Sequence, residues 1–519
     1  MPAPTILVDP ARVVDDVDPR IYSGFTEHMG RCIYGGIYEP ENQHGLADPK
    51  TGFRTDVMEV LKELKIPVVR YPGGNFVSSY RWQDGIGPKE LRPRRPELAW
   101  LNEESNQFGT DEFIDWCRAL GTEPYICLNM GTGTLEDALA WVEYCNSSAN
   151  TYYANLRRKN GHEQPHNVKY WSLGNEVWGP WQVGQMEAQD YAKKAYQWAK
   201  ALRLLDPNIK IIACGETGYA DWDRVVLKKL APVVDYHSIH STSMSSPALR
   251  RLLTSAAAEQ AINITKSLID LAKIENDLSK EITVCFDEWN VWDPVRAPGE
   301  DGAEEKYDLS DALAVASWLN VFVRKADVVK IACIAQSVNV ISPIITSPEG
   351  LFKQTTYYPL HLFTNLMRGA SLDVYVTNPT PDDAYTGLTA PTFVQKLTKT
   401  SPDSEKLTKY VDVSAVFDAQ ASEVRVAIVN RHAEKAYEVP IKFGVDTKVA
   451  SEVKVYEVWS EDLRDKNTFG EEKVKTVEKS VRWEGKYSLK AHSFQGQSTT
   501  HALFSMTLTF VLLQFSYSK

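Results

Sequence analysis

The chain has 519 residues, 43% of them hydrophobic and 24% charged, with a formal net charge of -11. That length predicts one large domain with a smaller companion, and the balance is that of an ordinary soluble protein. The acidic excess argues against a phosphate-backbone partner, which needs clustered Lys and Arg. The 14 Trp and 24 Tyr supply flat apolar faces that suit either sugar stacking or a well-packed core, and composition does not choose.

In chain order, "MPAPTILVDPARVVDD" lacks the basic start and apolar run of a signal peptide, and its extended residues are expected to join a later β domain. From residue 20, near-continuous apolar runs alternate with helical patterns. The runs are "RIYSGF" from 20, "IPVVRY" from 66, "EPYICLN" from 123, "VKYWSLG" from 168, "IKIIACG" from 209, "VDYHSIH" from 234, "EITVCFD" from 281 and "VKIACIA" from 329. Strands buried on both faces read this way. Between them lie patterns of helical period such as "TDEFIDWCRALG", expected to open on a Thr110 cap with an acidic first turn and to close at Gly121. The alternation predicts an α/β fold, a (β/α)8 barrel over residues 20–367. A doubly wound sheet is the competing fold, weakened because no GxGxxG follows the first strand.

After residue 368, "YVDVSAVFDAQASEVRVAIVNRH" and "VKVYEVWS" alternate without intervening helices. They predict an antiparallel, jelly-roll-like β-sandwich built from residues 1–19 and 368–494. Residues 495–519 form a divergent tail, expected either to be disordered or to imitate a final strand, and its apolar run from Met506 to Phe515 is too short to span a bilayer. The basic stretch "KELRPRRPELAW" from 89 reads as a rigid surface loop. The seven cysteines show no CxxC pair and no His/Cys zinc spacing, so they read as core thiols in a reducing, cytoplasmic compartment. The sequons at Asn146 and Asn263 are then expected to stay unglycosylated.

In such a barrel the C-terminal strand ends face the active-site mouth. Those ends offer Glu27 and His28, Arg70 and Asn75, Asn175 and Glu176, His240, Asp287 and Glu288, and Gln336 and Asn339. Paired carboxylates among amides and imidazole, without a metal or nucleotide signature, point to glycoside hydrolysis. In that chemistry Glu176 is the expected general acid/base and Glu288 the nucleophile, at the close spacing of a retaining mechanism. Trp171, Trp178 and Trp181 are expected to exclude water around Glu176 and keep it protonated, with Asn175 bonding the sugar 2-hydroxyl.

The motifs "GFTEHMGRCIYGGIYEP", "RYPGGNFVSSYRWQDGIGP", "WSLGNEVWGPWQ", "DYHSIH", "FDEWNVW" and "AQSVNVISPI" resemble glycoside hydrolase family 51, the α-L-arabinofuranosidases, over about residues 20–500. The resemblance implies a barrel with a C-terminal sandwich, no cofactor or metal, and an exo-acting retaining enzyme that releases terminal α-L-arabinofuranosyl groups from arabinoxylan or arabinan fragments. It places Glu27, Asn75 and Asn175 on the furanose hydroxyls and Gln336 near the nucleophile, with Trp100 and Trp178 lining subsites and Arg70 and His240 supporting Glu288. It also implies an oligomer, frequently a hexamer; the acidic charge and the short apolar runs, not the resemblance, set the expectation of no nucleic-acid or membrane partner. Thr242 stands where the family commonly has a tyrosine. Two alternatives stay open: a related endoglucanase or β-xylosidase, and a catalytically impaired carbohydrate-binding homologue.

Overall fold

All eight apolar runs are strands, and they close into a barrel in the computed structural model, which describes residues 4–243, 255–293, 303–377, 384–385, 408–432, 435–444, 448–490 and 510–518. The strands are β1 (Ser23–Phe25), β2 (Val68–Tyr71), β3 (Glu123–Cys127), β4 (Tyr170–Leu173), β5 (Lys210–Ala213), β6 (Tyr236–Ser243), β7 (Thr283–Val291) and β8 (Val329–Ile334). Neighbours are parallel throughout, and β8 pairs with β1 to complete the ring. The open doubly wound sheet is thereby excluded. Between β6 and β7 the register slips after Ser238, so that His240 lies opposite Glu288. Such irregularities re-aim side chains at the rims of barrels.

The helix Thr110–Leu120 departs from expectation at one end: its cap is Gly109, not Thr110. Thr110 lies inside the first turn, where its hydroxyl accepts from Trp141 Nε1 at 3.1 Å, and the Gly109 N–H donates to Glu112 Oε2 at 2.9 Å. A glycine cap costs only a few tenths of a kcal/mol against Ser or Thr, so this is an inexpensive exchange. Gly121 closes the helix with φ 81°, as its sequence position suggests.

Two sheets pack over a shared apolar core beyond the barrel. The smaller runs in the order Tyr375–Val376, Ile6–Val8, Tyr437–Phe443, Lys486–Leu489. The larger holds Val13–Asp16, Ala370–Leu372, Val411–Asp418, Glu423–Asn430, Phe510–Ser518, Glu452–Trp459 and Lys475–Arg482. The N-terminal residues thus supply one strand to each sheet, and Ile6–Val8 runs parallel to Tyr437–Phe443.

Within the divergent tail, Phe510–Ser518 sits between Glu423–Asn430 and Glu452–Trp459. Its apolar run has a physical reason. Val511, Leu513 and Phe515 face the sandwich core, whereas Phe510 and Leu512 join the core shared with the barrel, so both faces are buried. The helix Leu309–Arg324, buried from Leu309 to Val323, lies against this sheet, where Asn320 Nδ2 donates to Asp412 Oδ2 at 2.8 Å.

All seven cysteines are buried and free. The Asn146 amide is engaged with Val168 and Asp206 at 2.7–2.9 Å. Among the described residues, no helix is long and apolar enough to cross a membrane.

Candidate active site

The stretch "SLGNE" ends β4 with a sharp change of direction. Gly174 has φ 84° and Glu176 φ 40°, a left-handed conformation that a non-glycine residue adopts only when its surroundings impose it. This turn delivers Asn175 inward and Glu176 to the mouth. On the other side of the barrel, Glu288 is the half-buried member of an otherwise buried β7. One carboxylate oxygen of Glu176, one ring nitrogen of His240 and one carboxylate oxygen of Glu288 all lie within 4.8 Å of one another.

Arg70, from β2, organises the floor. Its Nη1 donates to Glu288 Oε1 at 2.5 Å, its Nη2 donates to Asn175 Oδ1 at 2.7 Å, and its Nε lies 3.3 Å from Asp287 Oδ2. The guanidinium is buried, which alone would weaken its charge, but Asp287 and Glu288 raise its affinity for the proton well above the usual value. Asp287 is itself fully buried and also accepts from the Tyr125 hydroxyl at 2.6 Å and from Ser238 Oγ. Burial opposes its charge, yet Arg70 and His240 hold its carboxyl well below the usual range.

His240 lies between three acids. Nδ1 is 3.0 Å from Glu176 Oε1 and 3.9 Å from Glu288 Oε1, and Nε2 is 3.2 Å from Asp287 Oδ1. Only the imidazolium can donate from both nitrogens. Burial would disfavour that charge, but Glu288, Asp287 and Glu176 outweigh it and push the ring up to about 10. For Glu288, burial is the larger influence and raises the carboxyl, while the charges of His240 and Arg70 pull it back.

Glu27 closes the opposite wall. Its Oε1 accepts from the Trp100 indole at 3.1 Å and from the Phe76 N–H at 3.2 Å, and its Oε2 accepts from Gln336 Nε2 at 2.9 Å. Burial, then the nearby charge of Glu288, pushes Glu27 up to about 8. The loop that carries Trp100 is pinned by an Arg92–Glu112 pair at 2.9 Å and by Glu97, which accepts the N–H groups of Ala99 and Trp100 at 2.6 Å.

The structure gathers these residues in two bonded groups, Arg70–Asn175–Glu288–His240–Glu176 and Glu27–Trp100–Gln336, which face each other across Gly74. Asn75 lies half-buried at the start of the 3-10 turn Asn75–Ser79 beside it. Gln336 Nε2 donates to Glu27 and lies 3.6 Å from Met29 Sδ, so it reaches the nucleophile only by way of the Glu27 side of the mouth. The three tryptophans near Glu176 divide. Trp171 is buried in the wall and donates to Val168 O, Trp178 donates to Gly215 O, and the largely exposed Trp181 donates to Glu176 Oε2 at 3.2 Å.

His28 turns away from the mouth. It stacks on Phe76 at 4.5 Å and pairs with Glu104 at 2.8 Å. Asn339 is likewise structural, tying Arg31 O and Thr346 together. The side chain of Thr242 lies outside the described residues.

Gly74 escaped the sequence reading. A Cβ there would stand 3.1 Å from Glu288 Oε1 and 3.5 Å from both Asn175 Nδ2 and Glu27 Oε2. The space above Gly74 is therefore the point where the three acidic and amide groups converge. Asn175 Nδ2 is buried there without a hydrogen-bond partner, and so is the Oε1 of Gln336, the residue bonded to Glu27; a polyhydroxylated ligand would relieve that costly state. The pair "GG" after a strand was the available signal, as glycines there permit close approach.

Known proteins bear on this geometry. The family profile described as alpha-L-arabinofuranosidase 1 domain matches residues 60–256, and the alpha-L-arabinofuranosidase C-terminal domain matches residues 287–493. The chain is 54% identical over 505 residues to "Probable alpha-L-arabinofuranosidase C" of Aspergillus flavus, covering 94% of this chain and 96% of that one. It is 38% identical over 447 residues to "Intracellular exo-alpha-(1->5)-L-arabinofuranosidase" of Halalkalibacterium halodurans, covering 82% and 85%. The solved structure of the thermostable GH51 α-L-arabinofuranosidase from Thermotoga petrophila superposes with a TM-score of 0.84 at 36% identity, covering 98% of this chain and 99% of the other. With the same barrel, the same companion sheets and this degree of identity along nearly its whole length, the chain belongs to glycoside hydrolase family 51, the α-L-arabinofuranosidases.

Proposed function

We propose that this protein is an exo-acting, retaining α-L-arabinofuranosidase that removes terminal arabinofuranosyl groups from arabinoxylan- or arabinan-derived oligosaccharides. The observation that carries the reading is the meeting of Glu176 and Glu288 oxygens within 4.8 Å around His240. Retaining enzymes place their carboxyls about 5–5.5 Å apart and inverting enzymes roughly 6.5–9.5 Å, and oxygens that approach within 4.8 Å support the retaining arrangement.

In this mechanism Glu288 attacks the anomeric carbon while Glu176 protonates the departing oxygen. Water, activated by Glu176, then hydrolyses the glycosyl ester on Glu288. Arg70 fixes the attacking carboxylate through Oε1, and together with His240 it opposes the burial that would otherwise neutralise Glu288. His240 Nδ1 lies 3.0 Å from Glu176 Oε1 and orients the carboxyl that must deliver a proton. The unpartnered Asn175 donor is placed for the sugar 2-hydroxyl, Gln336 and Glu27 for the remaining hydroxyls, and Trp100 and Trp178 for the subsite walls. Asn75 is assigned to the same furanose contacts.

We extend the reading to a cytoplasmic location, supported by seven free thiols and by the similarity to the Halalkalibacterium halodurans enzyme, whose name calls it intracellular. A homo-oligomer, with short oligosaccharides as the working substrate, belongs to the same proposal. A panel of p-nitrophenyl glycosides tests it. Cleavage of the α-L-arabinofuranoside is expected, and cleavage of the β-xyloside or cellobioside in its place would overturn the assignment.

A further inference from the structure

Away from the barrel mouth, a second group of side chains converges. Asp111 lies in the first turn of the helix Thr110–Leu120, while His162 and His166 lie between the helix Tyr152–Lys159 and β4. Asp111 Oδ1 is 3.2 Å from His166 Nε2 and 3.7 Å from His162 Nε2, and the three atoms all fall within 4.8 Å of one another. A simple hydrogen-bonded pair accounts for Asp111 and His166. It does not account for a second imidazole presenting the same ring nitrogen to the same carboxylate oxygen.

We propose that Asp111, His162 and His166 form a binding site for a divalent transition metal, zinc by preference. Bond lengths of roughly 2.0–2.1 Å around a tetrahedral zinc separate its ligand atoms by about 3.3 Å, and two of the three separations already approach that value. Two imidazoles and one carboxylate suit zinc, whereas calcium and magnesium call for a cage of oxygens. The outer partners have the arrangement that orients metal ligands. The Tyr144 hydroxyl donates to Asp111 Oδ2 at 2.7 Å and is itself held by Asn160 Nδ2 at 3.1 Å. The other ring nitrogen of His162 lies 3.9 Å from Asp115 Oδ1, too far for a hydrogen bond but near enough for its charge to be felt.

The backbone is fixed too: His166 N donates to Cys145 O at 2.7 Å, and Arg157 Nε donates to His162 O at 3.1 Å. Asp111 and His166 are buried, and the His162 side chain is 23% exposed, which gives an ion access from that side. The ion would clip the helix Thr110–Leu120 to the segment that leads into β4, the strand ending in Asn175 and Glu176. The His162-x3-His166 spacing gave no such signal in the sequence because its third ligand lies some fifty residues upstream, in another element.

The test uses the full chain, stripped with chelator, in a Glu176→Gln background that removes one donor from the trio at the mouth. Zinc titrated by calorimetry is expected to bind one ion per chain and to raise the unfolding midpoint by several degrees, and cobalt(II) is expected to give the intense visible band of a tetrahedral site. His162→Gln, at a partly exposed position, should abolish all three signals, and Asp111→Asn reads the same site from the helix side. Zinc binding unchanged by both substitutions, or no binding and no cobalt band in the parent, would overturn the proposal.

Discussion

The barrel mouth and the larger sheet of the sandwich are both buried, yet they are built on opposite principles. At the mouth, Arg70, Asp287, His240 and Glu27 are withdrawn from water and Glu288 is half-buried, and each is held by partners from other strands. Burying such charges is at best neutral for stability, so the arrangement is explained by chemistry rather than by folding. In the sheet, Val426, Ile428, Leu512 and Leu513 are fully buried and apolar, and their contribution is to stability alone. The contrast teaches that substitutions in the two regions must fail differently: the first should lose turnover while folded, the second should lose stability while the molecules that remain folded keep their turnover.

The sharpest separation comes from Glu288→Ala, which removes the nucleophile. Turnover should fall by roughly 10^4-fold or more with little change in the unfolding midpoint, as steady-state rates and calorimetry would show. Next is His240→Asn. It removes the positive charge that most favours ionised Glu288, so the nucleophile should hold its proton to higher pH. The acid limb of the kcat/KM profile is expected to move upward, with a loss of about 10–100-fold near neutrality. A purely structural histidine would lower the rate without moving that limb.

Gly74→Ala asks whether the space beneath the sugar is used. The added methyl would meet the Glu288 oxygen at 3.1 Å. A loss of about 10–100-fold in kcat/KM at unchanged stability is expected, since small displacements of reacting groups are costly. Leu513→Ala tests the other region. This side chain is fully buried in the strand Phe510–Ser518, and its truncation should cost about 2–5 kcal/mol in denaturant unfolding, with kcat unaltered. Lost turnover in a folded Leu513→Ala enzyme would erase the contrast between the regions.

Much of this was legible in the sequence because a parallel barrel writes a simple code. Its strands read as apolar runs, and its working residues sit one or two positions beyond them, as Asn175, Glu176 and Glu288 do. What stayed hidden depends on pairing across the fold. Tyr125 and Ser238 lie within strands and read as core filler, yet both bond the Asp287 carboxylate. The tail shows the same limit. Its apolar run was visible, but its place between two strands from some sixty to ninety residues upstream follows from sheet order, which alternation does not encode. Thr110 misled for a local reason: Thr is a strong cap in isolation, but its hydroxyl was claimed by Trp141.

The division of labour between the two glutamates can be read from product stereochemistry when azide is supplied to each truncated enzyme with an activated arabinofuranoside. Glu288→Ala should yield the inverted β-L-arabinofuranosyl azide, because azide replaces the missing nucleophile directly, and Glu176→Ala should yield the retained α-azide formed on an intact Glu288. The opposite pairing of azide anomers with variants, or an inverted azide from Glu176→Ala, would contradict the account.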